Sequence, residues 1–170
     1  MVLSEDTHGA MFFKELFNRM KDEERISRSL HVNAERFFGP CNQKLERQMK
    51  PMLNERGYNF FIVAADADGE AIDKLRYRIE IHVPSKMKPI TRYLVFTHEI
   101  EEWLCVSLGI KFSCKPSSVL RHRLDYEKYR LADYVQKLDF EKLIKSPSFR
   151  AFAGFLNEIK PQTNFSSVPR

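Results

Sequence analysis

The chain has 170 residues, of which 43% are hydrophobic and 30% are charged, and it carries a formal net charge of +5. This composition is typical of a globular protein with a core of its own, and it excludes an intrinsically disordered chain. No apolar run approaches the roughly 20 residues that span a bilayer, and the N-terminus lacks the features of a secretory signal. We therefore expect a cytoplasmic protein without a membrane partner. The small basic excess suits a polyanionic ligand but does not specify one.

The three cysteines, Cys41, Cys105 and Cys114, lie far apart in the sequence and form no Cys-x-x-Cys pair. An odd number of widely spaced thiols gives little support to structural zinc or to a disulfide framework. We interpret them as buried, reduced thiols that behave as small hydrophobic side chains.

The first hundred residues alternate between strand-like and helix-like patterns. Strands are predicted at 2–3, 34–38, 59–65 and 92–96, and helices at 10–21, 42–55, 70–80 and 99–108. Gly39-Pro40 is expected to stop the second strand, Pro51 to kink or interrupt the second helix, and Thr97 to cap the fourth. This order predicts an α/β fold, with a mostly parallel four-stranded sheet and helices on both faces.

Beyond Gly109 the pattern changes to short helices, predicted at 117–124, 126–137, 139–145 and 147–159. Ser146 followed by Pro147 is typical of a helix cap and first-turn proline. The residues from Pro161 onward show no periodicity. The sequence thus predicts an α/β core over 1–110, a helical extension packed on it over 111–160, and a flexible tail over 161–170.

Acidic side chains follow three of the predicted strands. They are Glu5 and Asp6 after the first, Asp66 and Asp68 after the third, and Glu99 and Glu101 after the fourth. Ligands of open parallel sheets bind beyond the carboxyl ends of the strands. Three strand ends therefore deliver carboxylates to one edge of the sheet, which would not be expected of isolated surface acids.

The segment Asp66-Ala67-Asp68-Gly69 carries the strongest signal at this edge. Two carboxylates two residues apart on an extended chain can turn toward one hard cation, and Mg²⁺ and Mn²⁺ prefer oxygen ligands. The alternative is a solvated turn, because aspartate and glycine are ordinary turn residues. The glutamates at neighbouring strand ends favour the metal site.

Residues 98–102, HEIEE, resemble the helix of zinc proteases at first sight. That chemistry requires a second histidine at position 102, where this chain has Glu102, so the zinc-protease interpretation fails. Glu102 is interpreted as a solvated helix residue, whereas His98 remains open as a ligand, a proton carrier or a structural residue. The chain also lacks the glycine-rich loops that bind nucleoside triphosphates or dinucleotides, and the Gly-x-Ser-x-Gly of hydrolases.

Four segments together resemble a known pattern: IVAADADG at 62–69, HEIEEWL at 98–104, Tyr126-Glu127-Lys128, and the Ser-Pro-x-Phe-x-x-Phe segment at 146–152. The chain resembles an uncharacterised Toprim-like family over nearly its whole length. That family is related to the Toprim domains of topoisomerases, primases and overcoming-lysogenization-type nucleases. The chain departs from the Toprim pattern in two respects, since Asp6 stands where a glycine usually follows the glutamate and the first strand is very short.

The resemblance implies a metal-dependent nuclease. Asp66 and Asp68 would bind Mg²⁺ or Mn²⁺, Glu5 would act as a general acid or base, and Glu99 or Glu101 would hold a second ion. The implied catalytic set is Glu5, Asp66, Asp68 and Glu99, and the implied metal ligands are Asp66, Asp68, Glu99 and Glu101. DNA is favoured over RNA, with a slight preference for single strands, because the aromatic content of 12% offers candidate stacking platforms.

Basic residues of the extension are candidates for phosphate contacts, namely Lys115, Arg121, Arg123 and Lys128. For each of them a solvated helix face is the alternative. Two other functions remain open: a non-catalytic module that binds nucleic acid or a protein partner, and a phosphatase that acts on a small phosphate ester. The sequence leaves the oligomeric state undetermined.

Overall fold

A computed structural model describes residues 1–37, 43–113 and 115–159. Four strands, β1 (Val2–Ser4), β2 (Ala34–Arg36), β3 (Phe61–Asp66) and β4 (Thr91–Phe96), form one sheet in the order β2-β1-β3-β4. All three strand pairs are parallel, so the α/β class with a four-stranded parallel sheet is confirmed and is consistent with a Toprim-like fold. The predicted strand end at Phe38, the Gly39-Pro40 stop, Cys41, Cys114 and the tail lie outside the described residues.

The helices are α1 (Thr7–Asp22), α2 (Lys44–Asn54), α3 (Ile72–Glu80), α4 (Glu102–Leu108), α5 (Pro116–Leu124), α6 (Phe140–Leu143) and α7 (Pro147–Glu158). Residues Lys128–Lys137, predicted as part of an ordinary helix, instead form a run of 3-10 turns, named here the 3-10 segment. Helix α2 continues past Pro51 to Asn54, so the proline does not interrupt it.

The two faces of the sheet are covered by different helices. On one face, Ile62, Ala64 and Leu94 pack in a cluster with α1, α4 and the C-terminal elements. On the other face, Val63 and Ala65 pack with α2 and α3. Side chains alternate between the faces because the strand period is two, and burial on both sides explains why β3 reads as a continuous apolar run.

The start of α4 differs from the expected one. The helix begins at Glu102 rather than at residue 99, and Glu101, not Thr97, occupies the position before it. Residues 97–101 instead lie in bends and turns that precede the helix. The expectation of a solvated Glu102 is wrong, because that residue is 7% exposed and its carboxylate accepts a hydrogen bond from Ser148.

An aromatic cluster fastens the C-terminal elements to the sheet. The ring of Trp103 lies 5.1 Å from that of Phe96 at the end of β4 and 5.1 Å from that of Phe149 in α7. Phe152, one turn further along α7, contacts Trp103 with ring centroids 5.4 Å apart and is fully buried. The helical extension therefore shares the core of the sheet.

No helix within the described ranges is long and apolar enough to cross a membrane.

We expect Phe152→Ala to lower the free energy of unfolding by about 3–5 kcal/mol, because it opens a cavity among packed rings. Urea unfolding, followed by fluorescence of Trp103, measures this loss. Tyr77→Ala is the control, since Tyr77 is 67% exposed and its truncation should change stability by no more than about 0.5 kcal/mol. Equal effects of the two substitutions would contradict the packing described here.

Candidate metal centre

The register of the sheet places Glu5 beside Asp66. Strand β1 pairs with β3 so that Ser4 lies opposite Ala64, and both chains then continue beyond the carboxyl edge. The backbone amide of Asp66 donates a hydrogen bond to Glu5 Oε2 at 3.2 Å. The parallel sheet thus brings together two carboxylates that are 61 residues apart in the chain.

The loops after β3 and β4 are joined by backbone hydrogen bonds. The amides of Ala67, Asp68 and Gly69 donate to the carbonyls of Phe96, His98 and Thr97, respectively. In addition, the amide of Ile100 donates to Asp66 Oδ1 at 3.1 Å. Asp68 and Gly69 adopt positive φ angles of 47° and 86°, and these left-handed conformations permit a sharp turn of the chain before α3.

Glu101 is the most deeply buried acid of the site, with no exposed surface. Its Oε1 accepts a hydrogen bond of 2.9 Å from the hydroxyl of Tyr126. Its Oε2 has no hydrogen-bond partner in the part of the chain that the structure describes. Burial of an unpaired carboxylate oxygen is costly, so this oxygen favours a proton, an ordered water molecule or a cation as its partner.

The electrostatics of the site oppose its full ionisation. Burial, together with the nearby charges of Glu101 and Glu5, raises the pKa of Asp66 to about 8, whereas Lys128 opposes the shift. Burial also raises the pKa of Glu5 and that of Glu101. Like charges held close together in a poorly solvated environment favour the binding of a proton or a cation, which neutralises them.

Asp6 and Lys128 complete the cluster. Lys128 Nζ lies 2.8 Å from Asp6 Oδ2, and Asp6 Oδ1 caps α1 by accepting a 2.6 Å hydrogen bond from Gly9. Burial works against ionisation of Asp6, but these two contacts hold its pKa below the usual value. A Cβ atom on residue 9 would lie 2.2 Å from Ser4 Oγ, so a larger residue in place of Gly9 would force this serine side chain to move.

The sequence predicts Asp6 at this edge but assigns it no role. The signal that could have revealed one is its position as an acidic residue immediately before a helix, which is a favourable N-cap. Tyr126 was noted only as part of a motif, because nothing in the sequence shows which carboxylate its hydroxyl reaches.

Asp68 and Glu99 are engaged by the start of the extension, and Glu99 is buried whereas Asp68 is exposed. Asp68 Oδ1 forms an exposed ion pair with Lys115 Nζ at 3.1 Å, although the charge of Asp68 still contributes to the raised pKa of Glu5. Glu99 Oε2 accepts a 2.9 Å hydrogen bond from the amide of Ser117, in the first turn of α5. The predicted metal ligands therefore divide into an inner pair, Asp66 and Glu101, and an outer pair, Asp68 and Glu99.

The remaining predicted residues occupy the rim. Arg121 and Arg123 are exposed on α5 and form no ion pair with any residue in the described ranges. The ring of His98 lies against that of Phe112 with centroids 6.4 Å apart, while its backbone carbonyl accepts from Asp68. Its imidazole thus has a packing contact with Phe112.

The donor set fits a hard divalent cation. No three or more His, Cys, Asp or Glu side chains of residues 1–37, 43–113 and 115–159 are gathered into a ready-made metal cage. Mg²⁺ commonly binds one or two carboxylates and completes its shell with water and substrate phosphate, so such a cage is not required. The unpartnered Oε2 of Glu101 and the carboxylate of Asp66 are ligands of the type that this ion prefers.

No family model, no curated protein and no solved structure matches the chain with statistical significance. The Toprim-like resemblance therefore remains a prediction.

We expect the stability of the metal-free protein to fall as the pH rises from about 4 to 8. In this window folded Asp66, with a pKa raised to about 8, holds a proton that the unfolded chain, with a pKa near 3.9, has lost. The free energy of unfolding then decreases by up to about 1.4 kcal/mol per pH unit for this group. Urea unfolding in EDTA at several pH values measures this dependence, and Asp66→Asn should flatten the slope of the free energy of unfolding against pH.

Glu5 and Glu101 contribute slopes of the same sign, so the dependence should become weaker in Asp66→Asn without vanishing. Asp22→Asn is the control, since Asp22 is exposed at the far end of α1. Identical pH profiles for the parent and Asp66→Asn would show that Asp66 is ionised throughout the range.

Proposed function

We propose that the chain is a divalent-metal-dependent nuclease that hydrolyses phosphodiester bonds of nucleic acid in the cytoplasm. The observation that carries the proposal is the acidic group formed by the partly buried Glu5 and Asp66 and the fully buried Glu101, in which Glu101 Oε2 has no partner among the described residues. A buried cluster of like charges is unfavourable for folding, and such sites are frequently functional.

The inner pair, Asp66 and Glu101, would hold Mg²⁺ or Mn²⁺, with Asp68 and Glu99 available as outer ligands. When bound, the ion neutralises charge that develops on the phosphate and lowers the pKa of a coordinated water. Glu5 is the proposed proton carrier. Its pKa is raised by burial, and a raised pKa favours the protonated form that a general acid requires.

The proposed substrate is a polynucleotide, with single-stranded DNA favoured. Lys115 and Lys128 lie at the acidic cluster, paired with Asp68 and Asp6, and α5 presents Arg121 and Arg123 beside them. Basic side chains around an acidic centre can bind the phosphates on either side of the bond to be cleaved.

A non-catalytic module that binds nucleic acid is the second candidate. The observation in its favour is that two lysines already neutralise part of the cluster, through the Lys128–Asp6 and Lys115–Asp68 ion pairs. Such a module would bind polynucleotide in EDTA and cleave nothing.

We expect purified protein to cleave labelled DNA with Mg²⁺ or Mn²⁺ and to be inactive in EDTA. Asp66→Asn should reduce the rate roughly 100-fold or more, because several kcal/mol of transition-state stabilisation are lost. Asparagine retains an oxygen that can accept from Ile100, so the loop should keep its conformation. Asp22→Asn, at the opposite edge of the sheet, should cleave like the parent.

The assay should use single- and double-stranded DNA and RNA together with a small phosphate monoester. Cleavage of the monoester alone would assign the site to a phosphatase. Full activity of Asp66→Asn, with metal still required, would place the active site elsewhere on the chain.

The exposed arginines of α5 should contribute phosphate contacts without base specificity. We expect the double substitution Arg121→Ala, Arg123→Ala to weaken binding of all single-stranded sequences similarly. It should also reduce the slope of log K against log salt by about 1.4, which is the value for two contacts. Fluorescence anisotropy at several salt concentrations measures both effects. Arg28→Ala is the control, because Arg28 is exposed beyond the C-terminus of α1. An unchanged salt slope in the double variant would show that α5 does not contact the nucleic acid.

A further inference from the structure

The segment from Tyr126 to Lys128 contacts the acidic cluster at two points. The hydroxyl of Tyr126 binds Oε1 of Glu101, and Lys128 Nζ lies 2.8 Å from Asp6 Oδ2. Tyr126 is 1% exposed and the side chain of Lys128 is 38% exposed. The lysine therefore enters the cluster from its solvent side, while the tyrosine anchors the chain beneath it.

The surroundings hold this segment in place. Arg19 of α1 donates to the carbonyls of Val135 and Leu138 at 2.6 and 2.9 Å, which ties the far end of the 3-10 segment to α1. Leu131 lies between these anchors and is fully buried. The backbone that carries Lys128 is thus fixed at both ends, whereas its side chain has four methylene groups with which to change direction.

The charge of Lys128 acts on the whole cluster as well as on Asp6. It opposes the burial-driven increase in the pKa of Glu5, of Asp66 and of Glu101. Burial would lower the pKa of Lys128 itself, but Asp6, Glu101 and Asp66 raise it well above its usual value. A permanently charged ammonium therefore stands beside the carboxylates that would bind a divalent ion.

We propose that Lys128 is the resident counter-cation of the acidic cluster and that it competes with a divalent metal ion for these carboxylates. This inference rests on the proposed metal site. Without metal, Lys128 partly neutralises the cluster and so stabilises the folded chain. When metal occupies the site, Lys128 leaves Asp6 and becomes available for a phosphate of the polynucleotide. Metal binding and polyanion binding are coupled in this way, because one lysine serves both states.

Titration of the protein with Mn²⁺, followed by the electron paramagnetic resonance of free Mn²⁺, tests the competition without any assay of activity. Removal of a unit positive charge next to the site should tighten Mn²⁺ binding about tenfold or more in Lys128→Met. Lys128→Arg retains the charge and should bind within about threefold of the parent. Lys50→Met removes an exposed lysine that pairs with Glu46 on α2 and should leave the affinity unchanged.

Thermal unfolding of the same variants provides a second measurement. Lys128→Met should have a lower Tm than the parent in EDTA, and Mn²⁺ should raise its Tm by more than it raises that of the parent. Unchanged or weaker Mn²⁺ binding by Lys128→Met would overturn the inference, as would a parent protein that binds no Mn²⁺.

Reductive methylation of the unmodified parent, analysed by mass spectrometry, tests displacement directly and does not depend on a variant that folds. Lys128 should react several-fold faster with Mg²⁺ than with EDTA, while Lys50 should react equally in both. Equal rates for Lys128 would show that its ammonium stays on Asp6. If Lys128 is displaced by metal and yet no nucleic acid is cleaved, the inference stands and the proposed nuclease activity fails.

Discussion

The rest of this site depends on the carboxylate of Asp66. It ends the central strand β3, accepts a hydrogen bond from Ile100, and lies close enough to Glu5 and Glu101 for their charges to raise its pKa. Desolvation of a carboxylate beside others of the same sign is unfavourable, and folding must compensate for it with protons, lysines or a bound cation. The acidic edge is therefore a place where stability and ligand binding are directly linked.

The C-terminal elements complete this edge as well as cover the sheet. Trp103, Phe149 and Phe152 fasten α7 to the end of β4, and α1 holds the 3-10 segment through Arg19. These contacts place Tyr126 under Glu101, and a buried hydroxyl bonded to one carboxylate oxygen leaves the other oxygen available. A sheet without the extension would present the same acids in a more solvated and less perturbed state.

Two lysines at the cluster give the site two ways to balance its charge. With Lys128 on Asp6 and Lys115 on Asp68, the acids are partly neutralised by the chain itself. With a divalent ion, the same lysines can turn to a polyanion, which needs a positive surface around a negative centre. The proposed nuclease and the proposed binding module differ in whether that second state also activates a water molecule.

Much of this architecture was predictable from the sequence. The apolar run before Asp66, the regular alternation of strands and helices, and the acids at three strand ends predicted a parallel sheet with a carboxylate edge, because strand and helix periodicities are local properties. The parallel order placed Glu5 and Asp66 at the same edge, and the pairing of β1 with β3 makes them neighbours. The predicted helix starts were less accurate. Helix α4 begins after a series of turns that are hydrogen-bonded to the loop after β3, and bonds between such distant residues leave no local pattern in the sequence.

Only the tertiary structure decided which acids are inside. Glu99, Glu101 and Glu102 are nearly adjacent in sequence, yet one accepts from Ser117, one from Tyr126 and one from Ser148. No periodicity distinguishes them, because their partners lie 18 to 46 residues away, in α5, in the loop after α5 and in α7. The sequence by itself determined that carboxylates gather at the end of β3; the packing of the extension decided which of them are buried, paired or open to a cation, because burial and pairing depend on contacts between distant segments.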